Sequence, residues 1–323
     1  MATGDVRGSR VPKKYKGVVL FIRDTCVALL LVGTMLFAMY AYTGLWPPLV
    51  VIESNSMMHS EENTSYVGVI DTGDMVLVKD VDRVGDIETY VEGFVSGHRT
   101  YGDFGDVVIY NSGGDSSSTP IIHRAMLYLE ENGDGTYTCE ALQYLPEDKW
   151  RTSDTRDTWD GLSSTLTILD VGYRDQLVVI SVDRLHGTGF ITKGDHNSAI
   201  DQSQSISSYR PVELDWVVGK ARGELPWFGL LKLWATGTLG SASPPNSVTN
   251  LGICMTLIVI GPILTDILMT HRTRKRIAAR REAARQEYDR GTPPPHEMMP
   301  APPIQEEPTP SPDMEQPAPP PEL

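Results

Sequence analysis

An apolar run opens at Cys26-Val27-Ala28-Leu29-Leu30-Leu31-Val32 and continues to about Trp46. A helix needs roughly 20 such residues to cross the hydrocarbon core of a bilayer. A second run, near Leu251 to Met269, is interrupted only by Pro262 and Asp266. Arg7, Arg10, Lys13, Lys14, Lys16 and Arg23 precede the first run; Arg272, Arg274, Lys275, Arg276, Arg280 and Arg281 follow the second. Basic flanks stay on the cytoplasmic side. Both termini are therefore expected inside a cell membrane, with residues 47–248 outside it. A cleaved signal peptide would share the basic start. This run is longer than a usual h-region, however, and no small-x-small site follows it, so a retained anchor is expected. The expected order is a basic cytoplasmic N-terminus (1–24), a transmembrane helix (25–46), an extracytoplasmic domain (47–248), a second transmembrane helix (249–269), a basic cytoplasmic helix (270–290) and a disordered Pro/Glu-rich tail (291–323).

The formal net charge is −14. The excess lies in 47–248, where acidic residues outnumber basic ones about two to one, and the rest of the chain nearly balances. A negative field opposes nucleic acid, whose binding needs basic footprints. Arginine outnumbers lysine about two to one. With the acidic surface, this resembles a protein from a high-salt cell, where screening removes self-repulsion. Of three cysteines, Cys26 and Cys254 fall in the apolar runs and Cys139 stands alone in the domain, so no disulfide framework is expected there. No His/Cys group has zinc spacing.

Between the spans, short β-favouring runs recur: 49–53, 74–79, 106–110, 121–129, 136–141, 176–182, 189–192 and 215–221. Each is bounded by Gly, Asp, Asn, Ser or Pro, the punctuation of strands and turns. Long helical periodicity is absent. The expected fold is a mainly β domain anchored by N-terminal and C-terminal transmembrane helices. Residues 111–118 and 146–164 read as polar surface insertions. The stretch Leu225-Pro226-Trp227-Phe228-Gly229-Leu230-Leu231-Lys232-Leu233-Trp234 suits either a membrane-interfacial segment or an ordinary core element.

Chemistry is carried by a few residues. Ser54-Asn55-Ser56-Met57 sits about ten residues past the first span. A serine hydroxyl needs a base to become a nucleophile, and Ser56 is the candidate. Ser54 is a candidate donor to an oxyanion. His123, in the apolar run Pro120-Ile121-Ile122-His123-Arg124-Ala125, is the candidate base. Asp195 and Asp201 are candidates for the carboxylate that orients an imidazole. Gly194-Asp195-His196-Asn197 on its own reads equally as a turn.

The order of these motifs is more specific than any one of them. Ser-x-Ser-Met after a strand is followed by Gly73-Asp74-Met75-Val76, Gly105-Asp106-Val107-Val108, His123-Arg124 and Gly194-Asp195-x-Asn197, with Asp201 six residues on. Over roughly 27–235, this resembles the archaeal and endoplasmic-reticulum branch of type I signal peptidases. The bacterial branch has a lysine where this chain has His123. Two positions depart from the pattern. Asn55 stands where the family often has Gly, and His59 where Pro is usual, which removes a fixed φ.

The resemblance implies a membrane-bound serine endopeptidase that cleaves signal peptides from exported preproteins. It implies Ser56 as nucleophile, His123 as base, and Ser54 with the Ser56 backbone N–H as oxyanion donors. It leaves open which aspartate meets the imidazole; Asp201 is preferred, with Asp195 supporting the site. Lys193 receives no catalytic role. No cofactor or metal is implied. Partners would be preprotein signal peptides, the lipid bilayer and the protein-export channel. The rival expectations are a non-catalytic, membrane-anchored extracellular binding module, or a specialised relative with the same fold.

Overall fold

The computed structural model describes residues 16–60, 63–154, 158–203, 206–239 and 243–291. The first part of the basic N-terminus and the tail from 292 onward lie outside them. The chain divides into two compact units, Met1–Leu257 and Ile258–Leu323.

The first element, α1 (Lys16–Thr43), has 28 residues. It starts well before the expected residue 25 and stops short of Trp46. At 1.5 Å per residue it is about 42 Å long, more than a bilayer core requires. Its apolar residues lie open all round, Leu29 at 67% and Phe37 at 69% among them. Gly44 ends it with φ +75°, a left-handed C-terminal position where glycine is free of the Cβ penalty.

Beyond the helix, β1 (Leu49–Val51) pairs antiparallel with β2 (Met75–Lys79). A short helix, α2 (Tyr90–Ser96), follows; Thr89 and Glu92 cap it reciprocally and Gly97 closes it in the left-handed region. A small ribbon of β3 (Arg99–Thr100) and β4 (Asp103–Phe104) leads to β5 (Val107–Tyr110) and the long β6 (Ile121–Glu131). Next come β7 (Tyr137–Thr138), β8 (Trp150–Thr152), β9 (Thr165–Val171), β10 (Gln176–Ser181), β11 (Gly189–Lys193) and β12 (Val217–Leu225). The chain continues through α3 (Gly229–Thr236) into α4 (Pro245–Gly291).

The main sheet has seven strands, ordered β1-β2-β12-β5-β6-β11, with β7 joined to β6. Its pairings are antiparallel. A second sheet is ordered β10-β9-β8. One core cluster joins that sheet to α2 and the distal half of β6 through Val91, Leu127, Leu142, Leu166 and Ile180. Another lies under β1, β2, β5 and β12 and takes in Ile52 and Met57. β5 is buried at all four positions and β6 at six of eleven, as strands covered on both faces are.

The domain therefore has mixed helix and sheet built around a large antiparallel sheet, with short helices that strand-by-strand reading passed over. The stretch expected as a polar insertion, 146–164, instead supplies β8, whose Trp150 is buried; residues 155–157 of it lie outside the described part. The loop 111–118 is a short 3-10 turn at Ser112–Gly114 with mostly exposed neighbours. At the C-terminus, the expected break between an apolar helix and a basic one does not occur. α4 has 47 residues and runs through Pro262. Described by itself, the second unit is the later part of this helix, apolar and exposed through Met269 and basic from Arg272.

Candidate active site

Strand alternation decides which side chains can meet. Successive residues of a strand point to opposite faces. His123 and Arg124 are neighbours in β6, paired across to Val108 and Val107 of β5. They therefore face opposite ways, and each finds a different aspartate.

The His123 ring, which is buried, places Nδ1 2.6 Å from Asp201 Oδ2. A carboxylate oxygen accepts, so Nδ1 carries a proton, and in the neutral ring Nε2 is the nitrogen with the lone pair. The same Oδ2 accepts from Tyr110 Oη at 2.7 Å and from Thr192 Oγ1 at 2.7 Å. Asp201 opens a short 3-10 turn and has no exposed side-chain surface. Tyr110 ends β5, and burial together with the charge of Asp201 pushes its phenol well above the usual range, which keeps it a donor. Thr192 lies beside a register shift between β11 and β6, at Ile191/Thr192. Bulges of this kind re-aim side chains.

On the other face, Arg124 forms a two-pronged pair with Asp195: Nε to Oδ1 at 2.8 Å and Nη2 to Oδ2 at 2.6 Å. Its Nη1 donates to the carbonyls of Thr100, Phe104 and Gly105 at 3.1, 3.0 and 3.1 Å. His59 Nε2 donates to Asp195 Oδ2 at 2.8 Å. Burial alone would raise the Asp195 carboxyl; Arg124 and His59 overcome it and hold the group well below the usual carboxylate range. The His59 ring stacks on Tyr173 at 4.6 Å between centroids.

The serine pair arrives from β1. After Val51 the chain leaves the sheet and turns, with Met58 N donating to Asn55 O at 3.2 Å. Met57 and Met58, each 1% exposed, pin the turn from below. Ser54 Oγ and Ser56 Oγ are 3.2 Å apart and hydrogen-bonded.

Ser56 and His123 come together at Gly194. The Ser56 carbonyl accepts from His196 N at 2.9 Å, so the 194–197 turn is bonded onto the serine's backbone. A Cβ built on Gly194 would lie 2.7 Å from Ser56 O and 2.9 Å from His123 Nε2. The free nitrogen of the imidazole and the Ser56 backbone thus border the same small space. Only a residue without a side chain leaves that space open.

All five residues singled out from the sequence lie in this region. Ser56 and His123 border one small space, with Ser54 bonded to Ser56 and Asp201 to His123. Asp195 braces its far wall by way of Arg124 and His59. Sequence reasoning missed four contributors. Tyr110 and Thr192 hold Asp201, but at the end of a strand each looked like an ordinary strand residue. Gly194 was visible as turn chemistry and as the start of a motif, without a role of its own. His59 was visible only as a departure from the proline usual in the family the sequence resembles. Lys193, buried next door, donates to the Gly194 carbonyl at 3.0 Å, and burial pulls its ammonium pKa down.

Chemically, a histidine oriented by a buried carboxylate, with its other nitrogen facing a serine segment, can move one proton to and from a hydroxyl. Among the described residues no group of three or more His, Cys, Asp and Glu side chains is arranged to hold a metal ion. In comparisons with known proteins, no family model matches the chain, and no curated protein matches it.

Proposed function

We propose that this chain is a membrane-anchored serine endopeptidase of the type I signal peptidase kind, acting on exported preproteins. The observation that carries the reading is the 2.6 Å bond from His123 to Asp201 together with the convergence of His123 Nε2 and the Ser56 backbone at Gly194. Two apolar helices of spanning length support the membrane setting.

In this reading Ser56 Oγ attacks the scissile carbonyl carbon as Nε2 of His123 takes its proton. The imidazolium, stabilised by Asp201, then protonates the leaving amine, and the acyl group stays on Ser56 as an ester. Water, deprotonated by the same nitrogen, hydrolyses that ester and restores the serine. The Ser56 N–H and the Ser54 hydroxyl receive the oxyanion. The Ser56 hydroxyl leaves Ser54 for Nε2 at the start of the cycle; such catalytic bonds commonly tighten only when substrate binds. β1 is the end strand of the main sheet and leads directly to Ser54, so an extended substrate can add beside it.

Ser56 follows the end of α1 by 13 residues. Even fully extended, that stretch reaches at most roughly 45 Å, and folded far less. If α1 spans the membrane, the serine works near its surface, where a signal peptide's cleavage site emerges.

Membranes carrying the wild-type protein, Ser56→Ala or His123→Ala test the reading with a preprotein substrate. Wild type is expected to release the mature protein, and both variants to lose cleavage by about 10³-fold or more. Equal processing by all three would refute the peptidase and favour a binding module.

A further inference from the structure

The segment after β12 has an outward face that the protein does not cover. In α3, Gly229, Leu230 and Leu233 are buried against the domain. Leu231, Trp234 and Ala235 occupy the opposite side, at helical spacing, with Leu231 44% and Trp234 76% exposed. An indole left three-quarters open on an otherwise acidic domain is an unusual use of the largest apolar side chain.

What lies over this face is set by what the helix is tied to. Trp227 Nε1, just before α3, donates to Ser65 Oγ at 3.0 Å. Ser65 N donates to Asn246 Oδ1 at 2.9 Å, and Asn246 Nδ2 donates back to Ser65 O at 2.9 Å. Asn246 is the second residue of α4. The start of α4 is already apolar and open, with Val248 and Ile253 each 56% and Leu257 67% exposed. A helix with apolar side chains exposed in this way, leading into an 18-residue window of mean hydropathy 2.2, has lipid as its natural solvent. The residue just before α3 is therefore fastened, through one serine, to the start of α4, where its exposed apolar run begins.

We propose that α3 lies in the membrane interface, with Leu231, Trp234 and Ala235 seated among the lipid headgroups and upper acyl chains. The proposal rests on α4 being a membrane span and not on the peptidase chemistry. Leucine and tryptophan on one face and a lysine at the flank suit such a helix, since an indole prefers the headgroup level. Lys232 is held at that flank by Glu53 at 3.2 Å.

The seat has a consequence for the site. Leu230 N donates to Gly73 O at 3.1 Å, and Gly73 N donates to Ile52 O at 2.9 Å. A Cβ on Gly229 would lie 2.7 Å from the Gly73 carbonyl and 2.9 Å from Val51 Cγ1. The helix thus packs straight onto the strand end that delivers Ser54 and Ser56. A fixed depth for α3 fixes the height of these serines above the bilayer.

The test reconstitutes the full-length protein in phosphatidylcholine nanodiscs made with plain or acyl-brominated lipid. Wild type is compared with Trp234→Phe, which leaves Leu230 and Leu233 in place. The expected result is that bromine quenches the emission lost in the variant, and that iodide in the buffer quenches that emission less in discs than acrylamide-accessible tryptophan. Trp234 emission that iodide reaches and bromine does not would overturn the proposal, and would leave a water-facing partner protein as the occupant. Failure of the protein to remain with the discs after alkaline wash would overturn it through its premise. Preprotein cleavage by wild type in the same discs separates either failure from that of the peptidase reading.

Discussion

His123 and Arg124 show how a single step along a strand sends two neighbours to different aspartates. Asp201 gathers three donors on one oxygen and holds the imidazole, whereas Asp195 neutralises a buried guanidinium that also ties down the β3–β4 ribbon. The two aspartates should fail differently. Asp201→Asn keeps the shape of the side chain but can present a donor to Nδ1, and a wrong tautomer costs about 10⁴-fold in turnover. We expect that loss with little change in unfolding temperature. Asp195→Asn leaves Arg124 buried beside a neutral group, which costs about 3–5 kcal/mol in stability. Turnover of whatever remains folded should fall far less than in Asp201→Asn. Thermal unfolding and single-turnover cleavage, measured on both variants, check the assignment; a reversed pattern would exchange the two roles. Gly194 provides a second test at this scale. A methyl group there meets backbone on one side and Nε2 on the other. Gly194→Ala is expected to lower cleavage by roughly 10²-fold, the cost of an ångström of misplacement. The stability loss should stay within about 1–3 kcal/mol, as for other overpacking changes. The serines, His123 and the aspartates could be picked out as candidates because their residue types and order carry meaning in one dimension. The preference for Asp201 over Asp195 came from the resemblance alone, because the geometry behind it depends on a strand register and a bulge that only pairing with β11 creates.

At the level of elements, the strands with apolar runs between turn residues were readable; most ends moved by a residue or two, but β7 ended three residues early and β12 four residues late. β9 was passed over, although Thr165–Val171 alternates, because it follows a polar stretch and packs in the second sheet. α2 was missed because seven residues are too few for helical periodicity; its signal was the Thr89–Glu92 capping box. Over 225–234, Gly229, Leu230 and Leu233 are buried, which bears out part of the core reading, while Leu225, Leu231 and Trp234 are exposed. What holds α3 in place is a carboxylate. Asp74 accepts from Trp227 N at 2.8 Å and from Asp71 N at 2.8 Å. Burial first, and then the nearby charges of Asp71 and Glu224, push its pKa up to about 7. An unfolded aspartate releases its proton near 4. Between about pH 4 and pH 7 the folded state therefore binds more protons than the unfolded one, and this group's contribution to stability falls as pH rises. The full benefit is present below pH 4 and is gone above pH 7. Asp74→Asn removes the titration. The unfolding temperature of wild type should decline relative to that of the variant from pH 5 to pH 7 and run parallel to it above pH 8, with a slope of roughly 1 kcal/mol per pH unit. A constant difference across that range would show that Asp74 does not hold its proton.

For the whole molecule, the distribution of charge governs behaviour that no single contact explains. The domain between the apolar helices carries slightly more than twice as many acidic as basic residues, while several of its basic side chains are spent on internal pairs: Arg124 with Asp195, and Lys220 and Arg222 with Asp106. Asp71, Asp74, Asp103 and Asp201 are buried, but many other carboxylates, Asp115, Asp134, Glu147 and Asp148 among them, face water. Like charges on a compact surface destabilise it, and the unfolded chain relieves that strain by expanding. Dissolved salt acts on the same term: the screening length is about 10 Å at 0.1 M and about 3 Å at 1 M. The buried pairs lie beyond its reach, so added salt should reduce repulsion without loosening the site. We therefore expect the unfolding temperature to climb steadily between 0.1 and 2 M potassium chloride, with cleavage activity retained throughout. Chloride is the appropriate anion for the measurement, because sulfate would raise stability in any protein by strengthening apolar burial. A variant with four exposed acids of the polar loops changed to asparagine or glutamine, at Asp115, Asp134, Glu147 and Asp148, should start more stable at 0.1 M and gain less from salt than wild type. If both proteins respond alike, or if wild type loses stability as chloride rises, self-repulsion is not what the acidic surface contributes, and the adaptation to a saline environment read from the composition falls with it.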